Sequence, residues 1–214
     1  ADISSGREDL GIEGLNLVLP GGEVLLEQLT LKFSPGERIL IIGESGAGKS
    51  TLLRSLAGIW PFSNGRLQLP EPQDCLFLPQ RPYLPLGSLR RALLYPKTAA
   101  SVSEGEIREI LQLCQLDKFD SRLDEMADWS RILSLGEQQR LAFARILLVK
   151  PQWIFMDEAS SALDEPMEKY LYELLQARLP KSSIISIGHR STLLAQHERQ
   201  LRLLGKGQWE LSAI

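Results

Sequence analysis

The chain has 214 residues, of which 43% are hydrophobic and 24% charged, proportions typical of a globular protein that can bury a sizeable core. Its formal net charge of -3 argues against nucleic acid as a partner, because proteins that bind the phosphate backbone usually carry a basic excess. The two cysteines form no C-x-x-C pair, so neither a disulfide framework nor a zinc site is expected. No run approaches the roughly 18 apolar residues needed to cross a bilayer, so we expect any membrane-embedded part to lie elsewhere.

The first elements in chain order are predicted strands. Residues 1–10 are polar and are predicted to be a linker. Alternating leucines over 15–19 predict one strand, and a second is expected over 24–33, after the turn signal Pro20-Gly21-Gly22. The apolar run 38–42 is typical of a strand that is buried on both faces of a parallel sheet.

Helices dominate the middle of the chain. Helical spacing of apolar residues predicts helices over 49–59, 88–94, 104–116, 137–149 and 166–178. Further apolar runs predict strands over 153–156 and 182–187, and a hairpin over 199–204 and 208–212. The pattern predicts an α/β domain over 11–214, with a parallel sheet, an N-terminal antiparallel β part and a helical subdomain over about 85–150.

The segment GESGAGKS matches the phosphate-binding pattern G-x-x-x-x-G-K-[ST] in full. Its glycines let successive backbone N–H groups point at one centre, and the following helix adds its positive dipole end. We expect Lys49 to contact the β- and γ-phosphates, Ser50 to bind Mg²⁺ and Thr51 to contact the α-phosphate. The predicted nucleotide-binding residues are Gly43, Glu44, Ser45, Gly46, Ala47, Gly48, Lys49, Ser50 and Thr51. This loop alone predicts a bound nucleoside triphosphate and does not distinguish a transporter from a kinase or a GTPase.

Two carboxylates follow the apolar run 153–156, where a buried parallel strand is expected to end. Ligands gather at this edge of open α/β sheets. We expect Asp157 to hold Mg²⁺ and Glu158 to act as the general base that polarises the attacking water. The alternative is that both are solvated residues at the start of a loop.

The segment LSLGEQQR precedes a long helical pattern. Ser134 and Glu137 have the spacing of a capping box, and this interpretation explains the segment as ordinary helix-start structure.

Taken together, these motifs resemble the nucleotide-binding domain of ABC ATPases over nearly the whole chain. GESGAGKS resembles the Walker A loop, WIFMDE the Walker B strand and LSLGEQQR the ABC signature. Gln80 in FLPQRPY stands at the place of the Q-loop glutamine, residues 161–164 (SALD) match the D-loop, and His189 stands at the place of the switch histidine. Kinases and small GTPases lack the signature, the D-loop and the switch histidine. His197 matches no motif and is expected at the surface.

The resemblance implies a shared site between two chains. Two such domains pair head to tail and enclose two ATP molecules, each bound by the P-loop of one subunit and the signature of the other. The implied catalytic residues are Glu158, His189 and Gln80, and the implied Mg²⁺ ligands are Ser50, Gln80 and Asp157. The other implied nucleotide contacts are Ser134, Gly136 and Asp164, and the implied cofactors are ATP and Mg²⁺.

A finer resemblance is to the adrenoleukodystrophy-protein-like branch of exporters and its bacterial relatives that move vitamin B12 or peptides. The segments that carry this finer resemblance are GIWPFSNGRL, FLPQRPYLPLGSLRRALLYP, DWSRILSLGEQQRLAFARILL and SIGHRSTL. In that branch the ATPase domain follows a transmembrane domain, which implies a place at the cytoplasmic face of the cell (inner) membrane. Two positions depart from the common pattern: Leu19 replaces the aromatic residue that stacks on adenine, and Leu135 replaces a signature glycine, which leaves either an ordinary or a strained backbone there.

Three functions are compatible with these motifs. The chain is a transport ATPase domain, a soluble ABC ATPase of DNA repair or translation, or a regulatory nucleotide-binding module without turnover. The second class usually carries two ATPase domains or a long coiled coil, and this chain shows neither. The third predicts loss of the base or the lysine, whereas Glu158 and Lys49 are both present. We therefore favour the transport ATPase.

Overall fold

The computed structural model describes residues 2–5, 9–61, 63–96 and 102–214. These residues form two compact units. The first contains the described residues within 1–77, 151–158 and 181–214, and the second contains those within 78–150 and 159–180.

The secondary structure follows an α/β pattern in chain order. The strands are β1 (Asp2–Ser5), β2 (Leu10–Val18), β3 (Val24–Phe33), β4 (Arg38–Gly43), β5 (Ser63–Leu69), β6 (Cys75–Leu78), β7 (Gly87–Ser88), β8 (Met126–Ala127), β9 (Trp153–Asp157), β10 (Ser183–Ile187), β11 (Arg199–Gly205) and β12 (Gln208–Ala213). The α-helices are α1 (Lys49–Leu56), α2 (Leu89–Leu94), α3 (Glu104–Leu113), α4 (Trp129–Ile132), α5 (Leu135–Val149) and α6 (Glu165–Arg178).

The first unit contains two sheets. The smaller has the order β1-β5-β2-β3, in which β2 pairs antiparallel with β3 and β5, and β1 pairs parallel with β5. The larger has the order β12-β11-β4-β10-β9-β6, in which β11, β4, β10 and β9 are parallel and β12 returns as an antiparallel hairpin strand. The predicted α/β fold, with its parallel sheet and N-terminal antiparallel part, is confirmed.

Burial explains why these segments became strands. β2 alternates buried and more accessible positions, as expected for a strand with one face on the core. Every residue of β9 and β10 is buried, which is typical of parallel strands covered on both faces. Both sheets and α1 contribute to one hydrophobic cluster in this unit.

Strand register places three loops at one edge of the larger sheet. Ile187 pairs with Ile41 on one side and with Asp157 on the other, and Leu203 pairs with Gly43. The carboxyl ends of β4, β9 and β10 therefore lie side by side, and the residues that follow them are close in space.

The second unit is mainly helical. α5 is buried along nearly its whole length, the pattern of a helix inside a core. It packs on α6, where the rings of Phe143 and Tyr172 meet edge to face with centroids 5.6 Å apart. The unit is larger than the helical subdomain expected over about 85–150, because it begins at Leu78 and includes Ala159–Pro180.

The N-terminal segment differs from a plain linker where it is described. Asp2–Ser5 forms β1, and Leu10 already begins β2. Residues 1 and 6–8 lie outside the described residues. No described helix combines the length and the apolar character needed to span a membrane.

Candidate functional site

The phosphate-binding loop connects β4 to α1 in the first unit. β4 ends at Gly43 and α1 begins at Lys49. Gly48, the N-cap, has φ 93° and ψ 9°, a left-handed conformation that glycine adopts without the Cβ penalty. A Cβ there would also lie 3.1 Å from the Leu25 Cβ. No side chain caps α1, so the N–H groups of its first turn are suited to bind an anion.

Lys49 lies inside this loop. The residue is only 7% exposed, and its Nζ donates hydrogen bonds to the carbonyl oxygens of Gly43 at 2.8 Å and Glu44 at 2.7 Å. Burial lowers the pKa of Lys49, against the opposing charges of Glu158 and Asp157. The loop backbone thus holds a cation where the motif predicts a phosphate contact.

Ser50 and Asp157 meet although they are 107 positions apart. Ser50 Oγ donates a hydrogen bond to Asp157 Oδ1 at 2.9 Å. Burial raises the pKa of Asp157, while the Ser50 hydrogen bond and the Arg54 charge act in the opposite direction. Arg54 Nη2 lies 3.9 Å from Asp157 Oδ2. Two oxygen donors of the kind that Mg²⁺ prefers therefore stand together.

Glu158 and His189 form a second pair at the same sheet edge. His189 Nε2 and Glu158 Oε1 are 3.0 Å apart and form a hydrogen bond. The histidine is the donor, because a carboxylate only accepts hydrogen bonds. Glu158 has φ 52°, a left-handed backbone that is costly for a residue other than glycine. Its N–H donates to the Ile187 carbonyl at 3.2 Å. This strained turn directly after Asp157 brings the Glu158 carboxylate against His189.

Lys49, Ser50, Glu158 and His189 line one cavity of about 340 Å³ in the first unit. Its lining comprises Leu19, Leu25, Ser45, Gly46, Gly48, Lys49, Ser50, Thr51, Glu158 and His189. The structure thus brings together the phosphate-binding loop, the predicted base Glu158 and the predicted switch histidine His189. Leu19, which the sequence predicts to stand where other family members stack an aromatic ring on adenine, lines the same cavity. Its side chain gives the cavity an aliphatic surface instead of an aromatic one.

In the second unit, Ser134 caps α5. Its Oγ accepts from the N–H of Glu137 at 3.3 Å, and its own N–H donates to Glu137 Oε2 at 2.8 Å, which completes the predicted capping box. Burial opposes ionisation of Glu137, but hydrogen bonds from Lys118 and Ser134 hold its pKa below the usual value. Leu135 is the first residue of the helix and is not among the residues with positive φ. Its backbone is therefore ordinary.

The second unit also contains the other predicted site residues. Gln80 follows β6, and its Nε2 donates to Ser161 Oγ at 3.3 Å. Asp164 caps α6 and accepts from the Met167 N–H at 2.8 Å. A Cβ on Gly136 would lie 3.4 Å from the Ala162 carbonyl oxygen. The Q-loop and D-loop positions are thus in direct contact.

His197 corrects one expectation, because the structure buries it. It is 6% exposed. Its Nδ1–H donates to the Leu193 carbonyl at 2.7 Å and its Nε2 accepts from Ser186 Oγ at 3.0 Å. No motif surrounds it, so the sequence offered no signal for this packing role.

A family model described as ABC transporter matches residues 26–161. An uncharacterized ABC transporter ATP-binding protein of Haemophilus influenzae is 47% identical over 209 residues, covering 98% of this chain and 35% of that protein. The human protein named lysosomal cobalamin transporter ABCD4 is 37% identical over 217 residues, covering 95% of this chain and 36% of that protein. The finer resemblance to that branch of transporters is confirmed.

The fold has a counterpart among solved structures. A bacterial Atm1-family ABC exporter with ATP bound superposes with a TM-score of 0.83 at 25% identity, covering 99% of this chain and 40% of that chain. The chain spans about a third of the length of the curated relatives it matches. With the family model covering the Walker A loop, the signature and the Walker B strand, this chain belongs to the ABC transporter family, as an ATP-binding domain and ATPase.

Proposed function

We propose that the cavity of the first unit binds Mg²⁺-ATP and that Glu158 is the general base for its hydrolysis. The observation that carries this proposal is the meeting of Lys49, Ser50, Glu158 and His189 around one cavity, with Asp157 bonded to Ser50. The P-loop would supply the phosphate contacts, and the Glu158 carboxylate lines the same cavity.

The residues present fit Mg²⁺. Ser50 Oγ and Asp157 Oδ1 are hard oxygen donors 2.9 Å apart. Among the described residues no cluster of three or more His, Cys, Asp and Glu side chains is suited to hold a metal alone. This agrees with Mg²⁺ chemistry, which usually uses one or two protein oxygens together with substrate phosphates and water. Mg²⁺ would neutralise charge on the phosphate oxygens. Gln80 stays a predicted ligand.

The chain's own residues would then act as follows. Lys49 exchanges its contacts with the loop carbonyls for the β- and γ-phosphate oxygens. Glu158 accepts a proton from the water whose oxygen attacks the γ-phosphorus, and the bond from that phosphorus to the β–γ bridging oxygen breaks, leaving ADP and phosphate. His189 donates through Nε2 to the Glu158 carboxylate and so orients it, and it contacts the γ-phosphate when nucleotide is bound.

Two further parts of the proposal concern partners. We expect two chains to pair head to tail through ATP, with Ser134, Gly136 and Asp164 of each chain completing the site of the other. We also expect a transmembrane domain in the rest of the native protein, which places this ATPase at the cytoplasmic face of the membrane. The support is that the chain covers only about a third of its transporter relatives and resembles part of an ABC exporter. The net charge of -3 predicts that nucleic acid is not a partner.

Replacing Glu158 with Gln tests the assigned base. The amide keeps the shape but cannot take up the water proton, so turnover should fall by about 10²- to 10⁴-fold while ATP still binds. An ATP-bound dimer should then accumulate, which size-exclusion chromatography with and without Mg²⁺-ATP detects. Glu13→Gln is the matched control, because Glu13 is an exposed carboxylate of the same unit that forms a salt bridge with Arg66. Wild-type turnover in the Glu158→Gln protein would exclude this role.

A further inference from the structure

Gln139 lies fully buried on α5, five positions after the cap residue Ser134, and no part of the proposed chemistry uses it. It is 0% exposed. Its Nε2 donates to the Gln80 carbonyl oxygen at 2.8 Å and to Ser161 Oγ at 3.2 Å, and its Oε1 accepts from the Ala162 N–H at 2.8 Å. The side chain thus joins its own helix α5 to two other segments of the second unit, at Gln80 and at Ser161–Ala162.

These partners determine the orientation of the Gln139 amide. A carbonyl only accepts and a backbone N–H only donates. Rotating the amide by a half turn would set Oε1 against the Gln80 carbonyl and Nε2 against the Ala162 N–H. The network is closed by Gln80, whose own Nε2 donates to Ser161 Oγ at 3.3 Å. The arrangement therefore specifies one geometry for all three segments.

Because the Gln139 side chain is buried, breaking its hydrogen bonds is energetically unfavourable. A buried donor or acceptor that loses its partner pays its desolvation penalty in full. If either the Gln80 segment or the Ser161–Ala162 segment moved away from α5 alone, the Gln139 side chain, which is 0% exposed, would lose hydrogen-bond partners. Movement of all three segments together retains every bond.

We infer that Gln139 is a positioning residue for ATP hydrolysis, which keeps Gln80 and the segment 161–164 in register with the signature helix α5 so that they change position as one body. The inference rests on the proposed roles of Gln80, Ser134 and Asp164, because these are the groups that Gln139 aligns. Gln139 itself touches no substrate in this account. It acts through the residues that do.

The variant Gln139→Met removes every hydrogen bond of this side chain while keeping its length and apolar volume. Amide hydrogen exchange of Ala162 should accelerate by about tenfold, as expected for one lost hydrogen bond. kcat should fall by about tenfold or more, because small misplacements of catalytic groups have large effects on rate. The dissociation constant for ATP in the single chain should stay within about twofold, since Lys49 and the P-loop keep all their contacts.

Gln138→Met is the matched control. Gln138 is also a buried glutamine of α5, but its Nε2 donates to the carbonyls of Ser130 and Leu133. Both variants should lose thermal stability. The hydrogen-exchange rate of the Ala162 amide and kcat should change much less in Gln138→Met than in Gln139→Met. Equal loss of kcat in the two variants, at equal loss of stability, would overturn the inference.

Ser161→Ala gives an independent measure, because Ser161 is exposed and the change is small. If Gln139 and Ser161 act in one network, kcat of the double variant should be close to that of Gln139→Met alone rather than the product of the two losses. Multiplicative losses, or an unchanged Ala162 exchange rate in Gln139→Met, would overturn the inference. A wild-type chain without ATP turnover would instead contradict the proposed function, and the exchange result would still decide whether the network exists.

Discussion

His197 is enclosed between β10 and the segment that follows His189. It faces Ser186 of β10 and the Leu193 carbonyl, with the charges of Arg38 and Glu198 nearby. Burial lowers its pKa from 6.5 to about 4, although the hydrogen bond to Leu193 acts in the other direction. The ring is therefore neutral in the folded chain at pH values where the unfolded chain already binds a proton.

This burial predicts a specific loss of stability in acid. Since the folded pKa is depressed, the contribution is fully present above pH 6.5 and is lost as the pH falls toward 4. Each tenfold change in proton affinity corresponds to about 1.4 kcal/mol, so the free energy of unfolding should fall by up to about 3 kcal/mol across this window. Urea titrations at several pH values measure it. His197→Gln should lack this component, whereas His189→Gln, at an exposed position, should retain it. Parallel pH profiles for all three proteins would contradict the assignment.

At the scale of elements, the start of α5 shows how a local departure from a family pattern is accommodated. Leu135 follows the capping box of Ser134 and Glu137 and has an ordinary backbone. The glycine that the common pattern has at this position is thus not required by the conformation. The two interpretations left open by the sequence are resolved in favour of the unstrained one.

Leu135→Gly should accordingly reduce activity. Glycine has no strain to relieve here and loosens the first turn of the helix at a cost of up to about 1 kcal/mol. Thermal unfolding and steady-state ATP turnover measure the two effects. Leu135→Ala is the control, because alanine is a good helix former. Its thermal stability and its ATP turnover should lie between those of the wild type and of Leu135→Gly. Higher turnover in the glycine variant would show that the helix start is strained after all.

At the scale of the whole molecule, the proposed site is incomplete in one chain. Ser134, Gly136 and Asp164 have local roles as caps or close contacts within the second unit. Their proposed contacts with nucleotide require a second copy.

Specific ATPase activity should therefore rise with protein concentration and be low when the chain is dilute. Mass action explains this, because only paired chains have complete sites. Initial rates across a wide range of concentrations test it. The Glu158→Gln chain, added in excess at a fixed low concentration of wild type, should raise wild-type turnover by supplying partner surfaces. A specific activity independent of concentration would exclude the shared site.

Elements with strong periodicity were predictable from the sequence. The strands expected over 24–33 and 38–42 and the helix over 166–178 agree with β3, β4 and α6 within about two residues. β5 escaped prediction because its sequence, SNGRLQL, contains a turn signal and several polar residues. Its Gly65 has φ 115°, and a Cβ there would lie 2.6 Å from the Gly14 carbonyl oxygen. A neighbouring strand, rather than intrinsic propensity, makes this segment extended.

The sequence by itself determined the phosphate loop, the carboxylate pair, the capping box and the family, because each depends on contiguous residues whose backbone preferences are local. The tertiary structure alone decided which distant groups meet. Ser50 and Asp157 are 107 positions apart, and Gln139 lies 59 positions from Gln80. Spacing along the chain carries no information about these contacts, since they arise from strand order, register and helix packing. For the same reason, the sequence alone does not show that His197 is buried and His189 exposed, because burial is a property of the packed fold.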